Sequence, residues 1–224
     1  MNKDIPRIVS SLRTHLVEVP PCIRKATGIL INGKRIKSVL FSTDVALISN
    51  CDADAIIAVY PFTPTLQITK AIIDVAQCPV FVGVGGGTTS GPRVKEIALD
   101  AELHGALAVV LNAPTKTEFV QELKERIDIP IILTIVSLDE NLEERMLHSG
   151  ANIINVSGGK NTVEIIRALR KIDPYFPIIA TGGPNEETIL NVIEAGANAI
   201  TYTPPTSADI FKQMMENYRQ RCKQ

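Results

Sequence analysis

The amino-acid sequence predicts an α/β protein folded as one (β/α)8 TIM barrel, preceded by a helix and a hairpin. Three observations predict this fold. Short β-branched runs alternate with helix-like stretches, and there are eight such runs. Proline and glycine recur in a regular pattern at the starts of six of them. Strands that alternate with helices indicate βαβ units and a parallel sheet. The 224 residues suffice for one such domain.

The predicted strands are short and almost wholly apolar, as expected of parallel strands buried on both faces. The intervals between them carry helical spacing, as in Phe119, Leu123 and Ile127, which lie four residues apart. The eight runs cover residues 38–41, 55–60, 80–84, 106–111, 131–136, 153–156, 178–180 and 199–201.

A repeat of two strands and two helices favours closure into a barrel. Proline can open a strand because it lacks the N–H that the ladder would use, and glycine can end a helix with a positive φ. An open doubly wound sheet is the alternative, but it gives no reason to keep the period to the last strand. Prolines open the third, fifth and seventh runs and Gly-Ala pairs open the fourth, sixth and eighth, at Pro79, Pro130, Pro177, Gly105, Gly150 and Gly196.

We divide the chain into an extension over residues 1–35 and a barrel over residues 36–224. Residues 5–16 fit an amphipathic helix, and residues 28–38 fit a hairpin with Asn32-Gly33 as its turn, placed to plug the bottom of the barrel. Residues 208–221 fit the eighth helix. The extension carries seven bases and two acids, which suits a solvated arm, packing on a neighbouring subunit, or closure over an anionic ligand.

Composition excludes several classes of function. The net charge of −1 favours neither nucleic acid nor an anionic membrane as a partner. We find no apolar run of membrane-spanning length and no secretory signal. The four cysteines are scattered, as reduced thiols in a cytoplasmic protein would be. A homo-oligomer is expected on general grounds.

Hydroxyls, amides and glycines dominate the predicted strand ends, where a barrel of this type carries its functional groups. The loop after the third strand is the most distinctive, and it leads into Arg93 at a helix start. It is a candidate lid or anion loop, although a merely permissive turn would look the same. The candidate loop and substrate-binding residues are Gly85, Gly86, Gly87, Thr88, Asn112 and Thr134.

Histidine chemistry is poorly supported by the sequence. His104 and His148 fall in the last turns of predicted helices, where they would cap carbonyl groups. His15 lies in the extension without a visible partner. We therefore expect neither nucleophile–histidine catalysis nor a site built from several histidines.

Glycines after the sixth and seventh strands predict a phosphate site. Glycine lets backbone N–H groups approach an oxyanion, and a helix start adds a partial positive charge. Tight turns alone would also explain these glycines, and Pro204-Pro205 after the eighth strand supplies no N–H. The candidate phosphate-binding residues are Gly182, Gly183, Ser157, Gly158, Gly159 and Thr203.

The candidate catalytic residues are Asp44, Arg93 and Asn155. Asp44 is the one carboxylate directly at a predicted strand end, which makes it the best general acid or base. It equally fits the N-cap of the helix that follows. The sequence requires no cofactor and shows no dedicated metal site, although Asp44 and phosphate oxygens could together hold a divalent cation.

Five segments are similar to those of a known family: Gly-Ala-Asn-Ile-Ile-Asn-Val at 150–156, Ala-Thr-Gly-Gly-Pro-Asn at 180–185, Ala-Gly-Ala-Asn-Ala-Ile at 195–200, Thr63-Pro64, and Gly-Val-Gly-Gly-Gly-Thr at 83–88. In these segments the chain resembles the 2-keto-3-deoxy-6-phosphogluconate aldolase family. The resemblance implies an aldolase-type barrel with phosphate at the seventh strand. The family's Schiff-base lysine falls at Asn155 and its glutamate at about Ala58, so we do not expect class I aldolase chemistry.

Three functions follow from these predictions. The first is an isomerase, lyase or hydrolase of a small phosphorylated metabolite, with Asp44 as acid or base and with Arg93 and Thr88 neutralising charge. The second is a catalytically silent barrel that binds a phosphorylated ligand in a regulatory role. The third is a flavin-phosphate barrel, against which the prolines after the eighth strand argue.

Overall fold

The computed structural model describes Pro6, Ile8 and residues 16–222. Eight parallel strands close into a barrel, and a two-stranded antiparallel hairpin precedes them. The predicted (β/α)8 fold is therefore confirmed. The strands are β1 Ile29–Ile31, β2 Lys34–Ile36, β3 Ser38–Phe41, β4 Ala55–Ala58, β5 Val80–Gly85, β6 Ala108–Leu111, β7 Ile131–Ile135, β8 Ile153–Val156, β9 Ile178–Thr181 and β10 Ala199–Tyr202.

The barrel strands pair in sequence order, and β10 closes the ring against β3 with Thr201 opposite Val39. Their side chains form two apolar layers. One layer fills the barrel and includes Val39, Ile57 and Phe81, while the other lies between the strands and the surrounding helices. This packed interior leaves the strand ends as the place for a ligand.

Helices follow the strands and cover the outside of the barrel. Between β7 and β8, the chain forms a π-helical turn over Glu144–His148 in place of a regular helix. No described helix combines the length and the apolar character that crossing a bilayer requires. The helices are α1 Val45–Ser49, α2 Leu66–Val75, α3 Pro92–Leu103, α4 Thr117–Lys124, α5 Thr162–Ile172, α6 Glu186–Glu194 and α7 Ser207–Arg221.

The predicted hairpin is present and plugs the amino-terminal end of the barrel. Asn32 and Gly33 form its turn, both with positive φ. Ile29, Ile31 and Ile36 are buried in the same cluster as the inward side chains of the barrel. The helix predicted over residues 5–16 lies almost wholly outside the described residues.

The N-terminal arm, residues 17–26, lies on the outside of the barrel at the seam between β10 and β3. Its 3-10 turn, Pro21–Lys25, packs against α6, and Val17 pairs with Cys51 on the other side. Ile23 is fully buried in the main core. By contrast, α7 has no buried residue. The arm, rather than the predicted eighth helix, therefore seals the seam.

Candidate functional site

Polar side chains line the barrel interior at the carboxyl-terminal ends of the strands. We call this end of the barrel the mouth. Successive side chains along a strand point to opposite faces of the sheet. The residue two places after an inward-pointing apolar residue therefore points inward as well. On β6 to β10 these positions hold hydroxyls and amides instead of hydrocarbon. The five residues are Asn112, Thr134, Asn155, Thr181 and Thr201.

Asn155 and Thr134 are brought together on neighbouring strands. They are register partners, and Asn155 Nδ2 donates to Thr134 Oγ1 over 3.3 Å. Thr201 is buried nearby in β10, and its Oγ1 has no hydrogen-bond partner within the described chain. A buried hydroxyl without a partner is costly, so a polar ligand at the mouth would satisfy it.

The glycine loop, residues 85–91, crosses one side of the mouth. Gly85 and Gly86 have φ of 126° and 97°, which only glycine adopts without strain. The loop borders a cavity of about 250 Å³ that the segments after β4 and β6 also line, and we call it the mouth cavity. The structure thus brings together the predicted residues Gly85, Gly87, Thr88 and Asn112.

Arg93 follows this loop at the second position of α3, and its side chain is exposed. It forms no ion pair with a carboxylate of the described chain. The predicted charge-neutralising role would require a ligand that reaches outward from the mouth.

Asp44 caps α1, as one of its two predicted roles requires. Its Oδ1 accepts from the N–H of Ala46 over 2.9 Å and from that of Leu47 over 3.4 Å. Its Oδ2 accepts from the hydroxyl of Ser207 at the start of α7. The Ser207 hydrogen bond, followed by the backbone bonds, lowers the pKa of Asp44. The carboxylate is therefore ionised and already bonded through both oxygens.

The glycines after β8 and β9 are used mainly for packing. The N–H of Gly182 donates to Thr201 O over 3.2 Å, and that of Ser157 donates to Ile135 O over 2.9 Å. A side chain on Gly182 would collide with Ile200 and Ile189. Gly158 closes the turn that precedes α5, where its carbonyl accepts from Asn161 N.

A cavity of about 440 Å³ does lie between these two loops. Gly159, Lys160 and Gly183 line it, together with Gly182, while Thr203 borders a different cavity beyond Gly183. The start of α6 closes this region with a capping box between Asn185 and Thr188. Glu186 and Glu187 add two negative charges there, which disfavours an anion.

Two residues at the mouth, Glu140 and Arg145, were not predicted from the sequence. Glu140 folds back so that its Oε1 accepts from the N–H groups of Val136 and Ser137, directly after β7. Arg145, in the π-helical turn, is 9% exposed, and its Nε lies 2.8 Å from Glu140 Oε2. These two atoms form an ion pair, and their geometry is not that of a hydrogen bond. Burial lowers the pKa of Arg145.

Arg145 ties the loops after β6 and β7 to each other. Its guanidinium donates to Thr115 O over 2.9 Å, to Ala113 O over 2.7 Å and to Thr134 O over 3.1 Å. The sequence carries no distinctive signal for this role, because Arg145 stands in a charged stretch, Glu-Glu-Arg-Met at 143–146. A charged residue among charged neighbours does not reveal which carbonyl groups its side chain reaches.

The described histidines lie away from the mouth. His104 ends α3, where its Nδ1 lies 2.9 Å from Asp100 O, and His148 ends the π-helical turn. These positions match the predicted ones, while His15 falls outside the described residues. Within residues 16–222, no three histidine, cysteine or acidic side chains group closely enough to hold a metal ion.

No family model matches the sequence, and no curated protein sequence matches it. Solved structures do match its fold. A candidate phosphonomutase from Burkholderia cenocepacia J2315 is 15% identical, with a TM-score of 0.60, over 90% of this chain and 94% of that one. The chain is a TIM barrel.

Two further TIM-barrel structures show the same similarity. A mandelate oxidase with a bound hydroxy acid is 16% identical, with a TM-score of 0.62, over 89% of this chain and 71% of that one. A phosphonopyruvate hydrolase in complex with oxalate and Mg²⁺ is 14% identical, with a TM-score of 0.57, over 85% and 82%. At these identities the likeness establishes the fold alone.

Proposed function

We propose that this TIM barrel is an enzyme that acts on a small phosphorylated metabolite at the mouth, as an isomerase, lyase or hydrolase. The observation that carries the proposal is the run of inward polar residues on five consecutive strands, β6 to β10. Neutral hydroxyls and amides at this end of a barrel suit the carbonyl and hydroxyl groups of a small metabolite.

In this proposal the residues have distinct roles. Asn155 and Thr134 orient the substrate oxygens, and the ionised carboxylate of Asp44 accepts a proton, as a base weakened by its lowered pKa. Arg93 and Thr88 offset charge that develops in the transition state. The names of two structural neighbours, a phosphonomutase and a phosphonopyruvate hydrolase, favour a small anionic substrate for this chain.

A catalytically silent barrel that binds the same class of ligand is the second candidate. Both oxygens of Asp44 already accept hydrogen bonds, and Glu140 is bonded to its own loop and paired with Arg145. Proton transfer would have to break one of these contacts. We assign no step to a divalent cation, because the oxygens of Asp44 and Glu140 already contact donors of the protein.

A matched pair of variants tests the proposal. Thr201 and Thr69 are both buried, 6% and 2% exposed, and the hydroxyl of each lacks a partner in the described chain. Thr201 lies in the barrel strand β10, whereas Thr69 lies in α2. Thr201→Val should therefore weaken ligand binding, while Thr69→Val should not.

The measurement is a screen of phosphorylated sugars and keto acids, first by thermal shift and then by turnover. A ligand at about 100 times its Kd raises the unfolding free energy by about 2.7 kcal/mol, which is readily seen as a shift in Tm. Turnover that Thr201→Val lowers and Thr69→Val leaves unchanged supports the enzyme. Stabilisation without turnover favours the silent barrel, and neither response in any compound counts against both.

Several finer points remain predictions. They are the resemblance to the 2-keto-3-deoxy-6-phosphogluconate aldolase family, the cytoplasmic location, the homo-oligomer and the division of the chain at residue 35.

A further inference from the structure

We propose that the glycine loop and the starts of α3 and α4 form the pocket for the phosphate group of a phosphomonoester. This places the phosphate beside β5 and β6, away from Gly182 and Gly183. The inference rests on the proposed function, because it names where that substrate's charged group is held. Three independent features of this region support it.

The first feature is a set of free backbone donors. The loop is closed by a hydrogen bond of 2.9 Å from Gly86 N to Thr89 O. The N–H groups of Gly87, Ser90 and Gly91 donate to no backbone carbonyl of the described chain. All three residues line a cavity of about 240 Å³, which we call the loop cavity. Backbone N–H groups that lack a carbonyl partner in the protein and border a small cavity are suited to an oxyanion.

The second feature is the charge at two helix starts. The twelve-residue helix α3 begins after Gly91, without a side-chain cap and without an acid in its first turn. Helix α4 begins after Lys116, which lines the loop cavity and leaves that helix uncapped as well. One acid, Glu118, lies in the first turn of α4. Two positive helix ends and a lysine favour an anion between them.

The third feature is a buried hydroxyl with no partner. Thr115 is 5% exposed and lines the loop cavity, and its Oγ1 forms no hydrogen bond within the described chain. The hydroxyl faces Gly86, where any side chain would overlap it. An oxygen of a bound phosphate would accept a hydrogen bond from this hydroxyl and relieve the cost of burying it.

The loop cavity lies next to the mouth cavity. Gly87 and Pro114 line both the loop cavity and the mouth cavity. A phosphomonoester could therefore leave its phosphate among the free N–H groups and extend its organic part toward Asn112 and Tyr60, which line the mouth cavity. The pocket thus distinguishes a phosphate ester from free phosphate by the second contact.

The test is a ¹H–¹⁵N NMR titration of the whole chain with inorganic phosphate and, separately, with glycerol 3-phosphate. We expect saturable shifts of the Gly87, Ser90 and Gly91 amides with both ligands. The ester should in addition shift the side-chain amide of Asn112. Lys116→Gln should weaken binding roughly tenfold, because it removes a charge-assisted contact.

Two further variants serve as controls. Lys124→Gln removes the same charge at the other end of α4 and should leave the Kd unchanged. Thr115→Val should weaken binding several-fold without lowering Tm, because the lost hydroxyl has no partner in the protein. Shifts centred on Gly159 and Gly183, no saturable shift, or equal effects of the two lysine variants would overturn the pocket. Turnover assays bear only on the proposed function, so the two can fail separately.

Discussion

Asp44 shows how one side chain at a strand end can serve the fold and a reaction at once. Its cap of α1 and its bond to the Ser207 hydroxyl join the start of the first barrel helix to the start of α7. These bonds favour the charged carboxylate, which is why its pKa lies below the usual range. A group with a lowered pKa in the folded state adds stability only where it is ionised.

Asp44→Ala should lower the unfolding free energy by about 1 kcal/mol at neutral pH, the usual cost of losing an N-cap. The contribution is complete above about pH 4, the ordinary pKa of an aspartate, and is lost as the pH falls through the lower pKa of the folded state. Urea unfolding at a series of pH values measures it. Asp44→Asn keeps a capping oxygen and isolates the ionic part. A difference that stays constant down to pH 2 would contradict this explanation.

The elements were predictable to different degrees. Every barrel strand begins and ends within about two residues of its predicted position, because short apolar runs, six of them preceded by proline or glycine, leave a parallel strand few alternatives. The positive φ of Gly105, Gly150 and Gly196 confirms the predicted helix ends. The hairpin turn predicted at Asn32-Gly33 is also confirmed, because these two residue types favour a tight turn by themselves.

The elements that depend on distant contacts could not be predicted. The π-helical turn forms where Arg145 reaches the carbonyl groups of Ala113 and Thr115, some thirty positions away. Glu140 becomes a strand-end residue only because its loop folds back on Val136. Neither arrangement leaves a periodic pattern in the sequence, so residue type alone did not reveal them.

Arg145→Met should lower the unfolding free energy by about 3 kcal/mol, because it removes bonds to three carbonyl groups and leaves Glu140 unpaired in a half-buried position. Amide exchange should accelerate in residues 113–117 and 136–140. Arg126→Met, which removes an exposed ion pair with Glu96, is the control and should cost less than about 1 kcal/mol.

The combination of Arg145→Met with Glu140→Gln provides a further check on this assignment. The double variant should be destabilised by less than the sum of the two single variants, since the second change removes the charge that the first leaves unpaired. Additive effects would show that the two side chains stabilise the mouth independently.

At the scale of the whole molecule, the N-terminal arm completes the outer layer of the barrel. The arm packs between α6 and the segment before β4, where Arg24 pairs with Asp52 and Asp54. The sequence predicted neither this position nor the exposure of α7, because both elements carry apolar residues that could cover the seam. Burial decides between them: Ile23 is fully buried and Phe211 is 65% exposed.

Ile23→Ala should therefore lower the unfolding free energy by about 2–5 kcal/mol, while Phe211→Ala should change it by less than about 0.5 kcal/mol. Denaturant unfolding of the two variants measures both values. Equal losses, or a larger loss at Phe211, would mean that α7 rather than the arm covers the barrel.

The seal at the seam also sets the order in which the chain can finish folding. Thr27 Oγ1 accepts a hydrogen bond from Asn198 Nδ2, a residue 171 positions later, and Gly28 N donates to Asn198 O. During synthesis on the ribosome, the first segment must wait until the last strand has emerged. Until then this segment lacks its contacts with Asn198, so we expect closure of the barrel to depend on residues that lie far apart in the sequence.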